Sequence, residues 1–425
     1  MTGTDDGVAT TRAPEVAVIG GGIVGLSTAY ALREQGVPVR LYEAGLPGTG
    51  QSAGESRIFR HAHDDPRLVA FARESRGVWD EWAEHFDVEL VSSDGVLAIG
   101  DSALARLRVL DEVGGAEAHE IDAAEVARRM PLLAGYSGPA VLDESGGAIR
   151  TRAAITALTG ALADAVTTGE VISIDPLADG TVEVRSVTDR AVYSKVVVCA
   201  GRETARLARS VGLSLPVRLA AHVRLTFDVK AAAPARVACL QDSSGVFGEV
   251  GVYATPLPGN SSYSVGLSDT VGVRDDGTFI DPAAIRSLDE RAREYVTRAL
   301  PGLHPEPRDF LHCWVTDLPW SEDGVAVWEA GSVFFVAGHN LFKQAPALGR
   351  ALARAATGGG LRAELTPEAR LGEAQRLGRV SLSRGDPRFW PANCLANPRS
   401  RSWTSWPLSS PPETTISSLV RMGLR

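Results

Sequence analysis

Val16-Ala-Val-Ile-Gly-Gly-Gly-Ile-Val-Gly-Leu-Ser-Thr-Ala-Tyr30 decides the fold. Its first four residues, Val16 to Ile19, are apolar and mostly β-branched, and they read as a short buried strand. Gly20, Gly22 and Gly25 follow with the spacing G-x-G-x-x-G. Ile23, Leu26, Ala29, Tyr30 and Ala31 then predict a helix that stops at Gly36. Pro38 to Glu43 predicts a second strand, closing on an acid about 20 residues beyond the glycines. Each part has a physical task. Gly20 permits the tight turn, Gly22 lets the backbone approach a pyrophosphate, and Gly25 lets the helix pack on the strand. The helix N-terminus faces the phosphates, and Glu43 is placed to accept from a ribose 2′-hydroxyl. This order of parts predicts a dinucleotide site rather than an ordinary strand-to-helix turn.

Working outward, a chain of 425 residues implies two or three domains. Hydrophobic residues at 44% and charged residues at 22% fit a soluble globular protein. The net charge of −9 argues against a nucleic-acid surface, which needs a basic stripe. No apolar run is long enough for a membrane span, and Met1 to Pro14 reads as neither signal nor transit peptide. A cytoplasmic monomer is the expectation. Cys199, Cys239, Cys313 and Cys394 show neither C-x-x-C nor metal-ligand spacing, so reduced thiols are expected. With no second G-x-G-x-x-G and no redox cysteine pair, a pyridine-nucleotide disulfide reductase is disfavoured. Only Lys195, Lys230 and Lys343 are lysines among 43 basic side chains, which makes each one informative.

After a Gly- and Ser-rich loop comes Ser56-Arg-Ile-Phe-Arg-His-Ala-His63. Read as a helix, it puts Arg57 and Arg60 on one face, able to serve a phosphate and a substrate carboxylate. His61 and His63 adjoin Asp64 and Asp65, but no further ligand clusters there and no metal site is expected. Amphipathic spacing predicts a helix over 68–86, and further helices over 103–113, 122–130 and 151–165. Residues 171–174 and 181–185 alternate as a hairpin. Lys195 to Gly201 is a continuous apolar run ending in glycine, the pattern of a buried parallel strand whose carboxyl end meets a ligand. From Leu219 to Leu267 the pattern becomes alternating strands and predicts a second, antiparallel domain. A helix over 282–300 and a strand over 310–316 follow. Ser332 to Gly338 repeats the buried strand ending in glycine, and runs through His339-Asn-Leu-Phe-Lys-Gln344 into a helix. The expected fold is α/β (α+β overall). A Rossmann-type nucleotide-binding domain is built from 14–86, 149–217 and 319–371, and a substrate domain with a mainly antiparallel sheet from 87–148 and 218–318. Residues 1–13 and 372–425 are expected to be a disordered arm and a disordered or atypical tail.

Together these stretches resemble the FAD-dependent amine oxidases of the D-amino-acid-oxidase superfamily, nearest the sarcosine oxidase and N-methyltryptophan oxidase branch, with glycine oxidase more distant. The resemblance spans about residues 14–370. It rests on the fingerprint through Glu43, Ser56-Arg-Ile-Phe-Arg-His61, Lys195-Val-Val-Val-Cys-Ala-Gly201, Cys313, and Val336-Ala-Gly-His-Asn-Leu-Phe-Lys343. It implies that Gly20, Gly22, Ile23, Val24, Gly25, Glu43, Ala44, Ser52, Arg57, Val171, Ala200, Gly201, Gly338 and Lys343 contact FAD. It also implies that Cys313 bonds covalently to the flavin 8-methyl group. Arg60 and Lys343 match the pair that grips the substrate carboxylate, and Tyr253 matches an active-site tyrosine.

Two departures stand out. The family's G-H-G-F-K stretch reads Gly338-His-Asn-Leu-Phe-Lys343 here. On the strand that carries the oxygen-activating lysine of sarcosine oxidases, Ser264 holds the lysine's place if Gly266 is the anchor. The implied activity is oxidation of the C–N bond of an amino acid or N-substituted amino acid to an imine that hydrolyses, with O2 reduced to H2O2. Ser264 leaves open a dehydrogenase using another electron acceptor. A biosynthetic tailoring enzyme, removing an N-carboxymethyl group as glycine oxidases do, is the other alternative.

Overall fold

The computed structural model describes residues 15–373. Two sheets divide the work. A six-stranded sheet is centred on β1 (Val16–Ile19), which pairs in parallel with β2 (Val39–Glu43) on one side and with Lys195–Val198 on the other. Val333–Gly338 lies beyond Lys195–Val198, and Val166–Thr168 beyond β2, both in parallel; only the edge strand Val325–Ala330 is antiparallel. All four residues of β1 are buried, as expected of a strand covered on both faces. Val16 and Val18 pack toward the helices, including α1 (Ile23–Glu34) and Leu341–Arg354. Ala17 and Ile19 pack toward a small three-stranded sheet from residues 171–193. The alternation of a strand therefore assigns its two sets of side chains to two cores.

The glycine spacing is explained by close backbone approaches. A Cβ on Gly25 would stand 1.9 Å from the carbonyl oxygen of Gly20, and one on Gly20 would stand 2.5 Å from that of Cys199. Gly20 also has a φ of +103°, a conformation side chains resist. The helix is buried from Ile23 through Leu32, and Gly36 follows its end in the left-handed region.

The second sheet has nine strands and is largely antiparallel. Its longest strand, Arg218–Asp228, pairs with Ser262–Leu267 and Asp309–Asp317. The two faces differ in chemistry. Val223, Leu225, Phe227, Tyr263, Val265 and Leu267 pack on the helix Pro282–Ala299, which buries Ile285, Leu288, Ala292, Tyr295 and Val296 at helical spacing. Asp281 caps that helix by accepting from the amides of Ala283 and Ala284, with Pro282 next in line. The residues between these on the strands carry polar groups: His222, Arg224 and Thr226 on one strand, Ser264 and Ser268 on or just past its neighbour.

The sequence leaves Ser56 to Phe59 open to a helical reading. Ser56-Arg-Ile-Phe59 is not helical. It is β3, antiparallel to Gly147–Arg150. A four-residue apolar–polar stretch fits either period, and the partner that decides it lies some ninety residues away. Helix α2 (Pro66–Phe86) begins only after Asp65, whose side chain accepts from the Arg67 amide. The arm 1–13 and nearly all of the tail 372–425 lie outside the described residues. Gly372 is an exception, its amide donating to Asp65 over 2.8 Å.

Candidate active site

The carboxyl ends of β1 and Lys195–Val198 open onto a cavity of about 1210 Å3. It runs from the glycine turn, past Ser52, Arg57 and Cys313, to Arg60 and Lys343. That exceeds the usual size of a site for one small ligand and leaves room for a dinucleotide with a substrate. Gly20, Gly22, Ile23, Val24, Glu43, Ala44, Ser52, Arg57, Val171, Ala200, Gly201, Cys313, Gly338 and Lys343 all line it. Gly25 does not; it serves the turn from behind, as its contact with Gly20 requires.

The nucleotide end suits FAD. The first helical amide, that of Ile23, is held by the Ser52 hydroxyl at 2.9 Å. Glu43 accepts from the amides of Gly21 (2.6 Å) and Gly45 (2.8 Å), which orients its carboxylate at the strand end and leaves lone pairs for a sugar hydroxyl. Gln51 donates to the Trp314 carbonyl (3.1 Å) and the Thr316 hydroxyl (3.2 Å), tying the nucleotide loop to the strand that carries Cys313. Cys313 is a free, half-buried thiol on the cavity wall.

At the other end the structure adds residues that local sequence did not single out. Arg60 and Lys343 converge on one carboxylate, that of Asp323, at 2.7 and 3.5 Å. Asn340 donates to the same carboxylate at 2.7 Å, and His63 lies 3.2 Å from it through Nδ1. Burial alone would push the Asp323 carboxyl up; Lys343, Arg60 and His63 outweigh it and hold the group well below the usual carboxylate range. Burial pushes the Lys343 ammonium down to about 8; Asp323 resists this and Arg60 adds to it. His63 is pushed down to about 3 by burial, then by Arg60 and Lys343, so it stays neutral and donates from Nδ1. Two cations against one anion leave one net positive charge in this cluster. Arg60 also donates to the Ala62 carbonyl. Lys343 is steadied from behind: Ser75 Oγ and Trp79 Nε1, both on α2, donate to its backbone carbonyl at 2.6 and 3.1 Å.

The polar face of the second sheet forms the floor. Tyr253 lies opposite Gly266, and a Cβ there would stand 2.3 Å from the phenol ring, so glycine admits the tyrosine. Burial, then Cys313, pushes the Tyr253 phenol up. His222 Nδ1 faces the Asp269 carbonyl and must carry the proton, so its Nε2 accepts from His339 Nε2 at 3.2 Å. Burial lowers both imidazoles, His339 to about 3. Ser264 does not line the cavity; its hydroxyl is engaged with Thr226 at 2.8 Å. His61, considered beside His63 in the sequence, turns away to Asp143 and is structural. Among the described residues no cluster has the make-up of a metal site. None of the described helices is long and apolar enough to cross a membrane.

A glycine-turn nucleotide sheet, an antiparallel second sheet and one cavity walled by both define a two-sheet dinucleotide-binding fold. The chain belongs to the DAO family of FAD dependent oxidoreductases, whose family model matches residues 15–355. A search of curated proteins gives no match. Among solved structures the chain is similar to the open form of NikD, an unusual amino acid oxidase essential for nikkomycin biosynthesis. Identity is 21%, coverage 81% of this chain and 94% of that one, and the TM-score 0.70. It is also similar to L-proline dehydrogenase from P. horikoshii (18% identity, 83% and 95% covered, TM-score 0.71). Glycine oxidase from Geobacillus kaustophilus is a third (19%, 83% and 98%, 0.66). At these identities the likeness establishes the fold.

Proposed function

We propose that the protein oxidises the C–N bond of an amino acid or N-substituted amino acid, with FAD along the cavity and O2 as the acceptor, forming H2O2. The observation that carries this reading is the convergence of Arg60 and Lys343 on a carboxylate, inside a cavity that begins at a dinucleotide turn. Bound FAD supplies the two-electron acceptor; the chain supplies position and charge. Arg60 and Lys343 hold the substrate carboxylate, the first as a planar fork and the second as a point charge. Asp323 orients both and leaves one positive charge for the substrate. The amine reacts as its neutral form, so turnover rises with pH until the substrate amine is deprotonated. The resulting imine hydrolyses in water to a carbonyl compound and an amine. Tyr253, His222 and His339 close the floor around the reacting carbon, and the Cys313 thiol bonds covalently to the flavin, a reading supported by its being free and on the cavity wall. The nucleotide segments 14–86, 149–217 and 319–371 act as the FAD domain, and 87–148 with 218–318 as the substrate domain.

Anaerobic mixing of the holoenzyme with a panel of N-methyl and primary amino acids tests the reading. Loss of the oxidised flavin's visible absorbance with at least one of them is expected; no loss with any of them refutes it. A dehydrogenase reading is favoured by one observation, the hydroxyl of Ser264 at the lysine's place. Slow reoxidation of the reduced enzyme by O2 would select it.

A further inference from the structure

Arg224 is the least exposed of the arginines that line the cavity. It is only 6% exposed, yet its guanidinium donates to hydroxyls alone: Thr255 Oγ1 at 2.7 Å and Ser56 Oγ at 3.1 Å. Among the described residues no carboxylate forms an ion pair with it. Arg60 has Asp323, Arg106 has Asp64, and Arg202 and Arg206 have Glu203; Arg57, the other cavity arginine without a carboxylate, donates to the backbone carbonyls of Ser56 and Ala53. The charges nearest Arg224 include a second arginine, Arg57, while Cys313 and Tyr253 complete its surroundings. A buried arginine keeps its proton, and an unpaired one is costly unless a ligand supplies the missing negative charge.

The position follows from the sheet. Arg224 lies opposite Gly266, and Gly266 lies opposite Tyr253, so the three occupy one row across adjacent strands. His222, two residues before Arg224 on the same face, lies opposite Cys313. The guanidinium is therefore set in the cavity floor, away from the Arg60–Asp323–Lys343 cluster that the substrate carboxylate would use. Ser56 and Thr255 also hydrogen-bond each other at 2.6 Å, so two hydroxyls from different sheets fix the guanidinium.

We propose that Arg224, an uncompensated cation in the cavity floor, stabilises the negative charge the flavin gains on reduction. The step balances. The substrate C–H bond breaks, its proton and electron pair pass to the flavin, and the substrate is left as an iminium while the flavin gains one negative charge. A fixed cation that needs no reorganisation favours that state. The inference rests on FAD occupying the cavity, not on the identity of the substrate.

The test uses sulfite, which adds to an oxidised flavin and places a negative charge on it without substrate or O2. Sulfite affinity and the flavin reduction potential are measured on holoenzyme for the native chain, Arg224→Gln and Arg224→Lys. Arg224→Gln is expected to bind sulfite about 10- to 100-fold more weakly, the effect of one charge at an intermediate effective dielectric, with the potential displaced to more negative values. Arg224→Lys is expected to retain most of the native affinity. Unchanged sulfite affinity and potential in Arg224→Gln overturn the proposal. So does a variant that loses only the binding of simple carboxylates, which would make Arg224 a substrate ligand. If Arg224→Gln does not hold flavin, the native holoenzyme still decides: absence of a sulfite adduct, with a potential no higher than that of free FAD, overturns the proposal. Bleaching of the same preparation by an amino acid separately tests the proposed function.

Discussion

Lys343 is the residue on which the substrate reading turns. Its replacement by Met removes one charge-assisted hydrogen bond, worth about 1.5–3 kcal/mol, so a carboxylate ligand should bind about 10- to 150-fold more weakly. Unaltered affinity, read from perturbation of the flavin spectrum, would remove Lys343 from the carboxylate site. The pH dependence has a definite sign. Lys343 is charged below about 8 and neutral above, so carboxylate affinity is full at lower pH and falls as pH rises through that value. Deprotonation of the substrate amine pushes the rate the other way. The native profile should therefore be a bell, and Lys343→Met should lose its alkaline limb only. For Cys313, acid precipitation should give a yellow pellet from the native protein and a yellow supernatant from Cys313→Ser; a colourless native pellet would show that no covalent bond forms. Arg60, Lys343 and Cys313 were legible because each sits in a short stretch with its own pattern. Asp323, Asn340, His222 and Arg224 were not. The two pairs lie far apart in the chain, and only the tertiary fold brings Asp323 to Asn340 and Lys343 and sets His222 and Arg224 on the polar face of the second sheet.

The elements were legible in proportion to how local their determinants are. The turn between β1 and α1 is complete within ten residues, and the structure reproduces it down to the contact of Gly25 with Gly20. Gly25→Ala places a methyl 1.9 Å from a carbonyl oxygen that cannot swing aside. Overpacking of this kind costs about 1–3 kcal/mol or more, so a lower thermal midpoint and a drop in bound FAD are expected. Full FAD content in that variant would contradict the reading of the glycine spacing. By contrast, nothing within Ser56 to Phe59 separates strand from helix, because the partner of β3, Gly147–Arg150, lies far off in the chain. The contact between α2 and the Lys343 carbonyl was equally hidden, since Ser75 and Trp79 are 268 and 264 residues away. Trp79→Phe keeps the ring that stacks near-parallel on Phe342 and loses the indole donor. It should cost about 1 kcal/mol of stability and also weaken carboxylate binding, by letting the lysine backbone drift. A stability loss with native carboxylate affinity would make the contact purely structural.

At the scale of the molecule, the long cavity joins two kinds of wall. One is a parallel sheet that offers glycines and a helix N-terminus to phosphates. The other is an antiparallel sheet that gives an apolar face to its own helix and a polar face to the cavity. The alternating pattern over 219–267 announced the second sheet but did not say which face served the site, because apolar and polar residues read alike in either orientation until the helix Pro282–Ala299 claims one of them. On the proposed function, the far end of this cavity recognises a carboxylate so that an adjacent amine is oxidised. The most direct measurement compares anaerobic flavin reduction by the best N-substituted amino acid with reduction by the same amine lacking its carboxylate, in the native protein and in Lys343→Met. The native protein is expected to prefer the amino acid by about 100-fold or more, some 2.7 kcal/mol, and the variant to lose most of that preference. Equal reduction of the two amines by the native protein would contradict it.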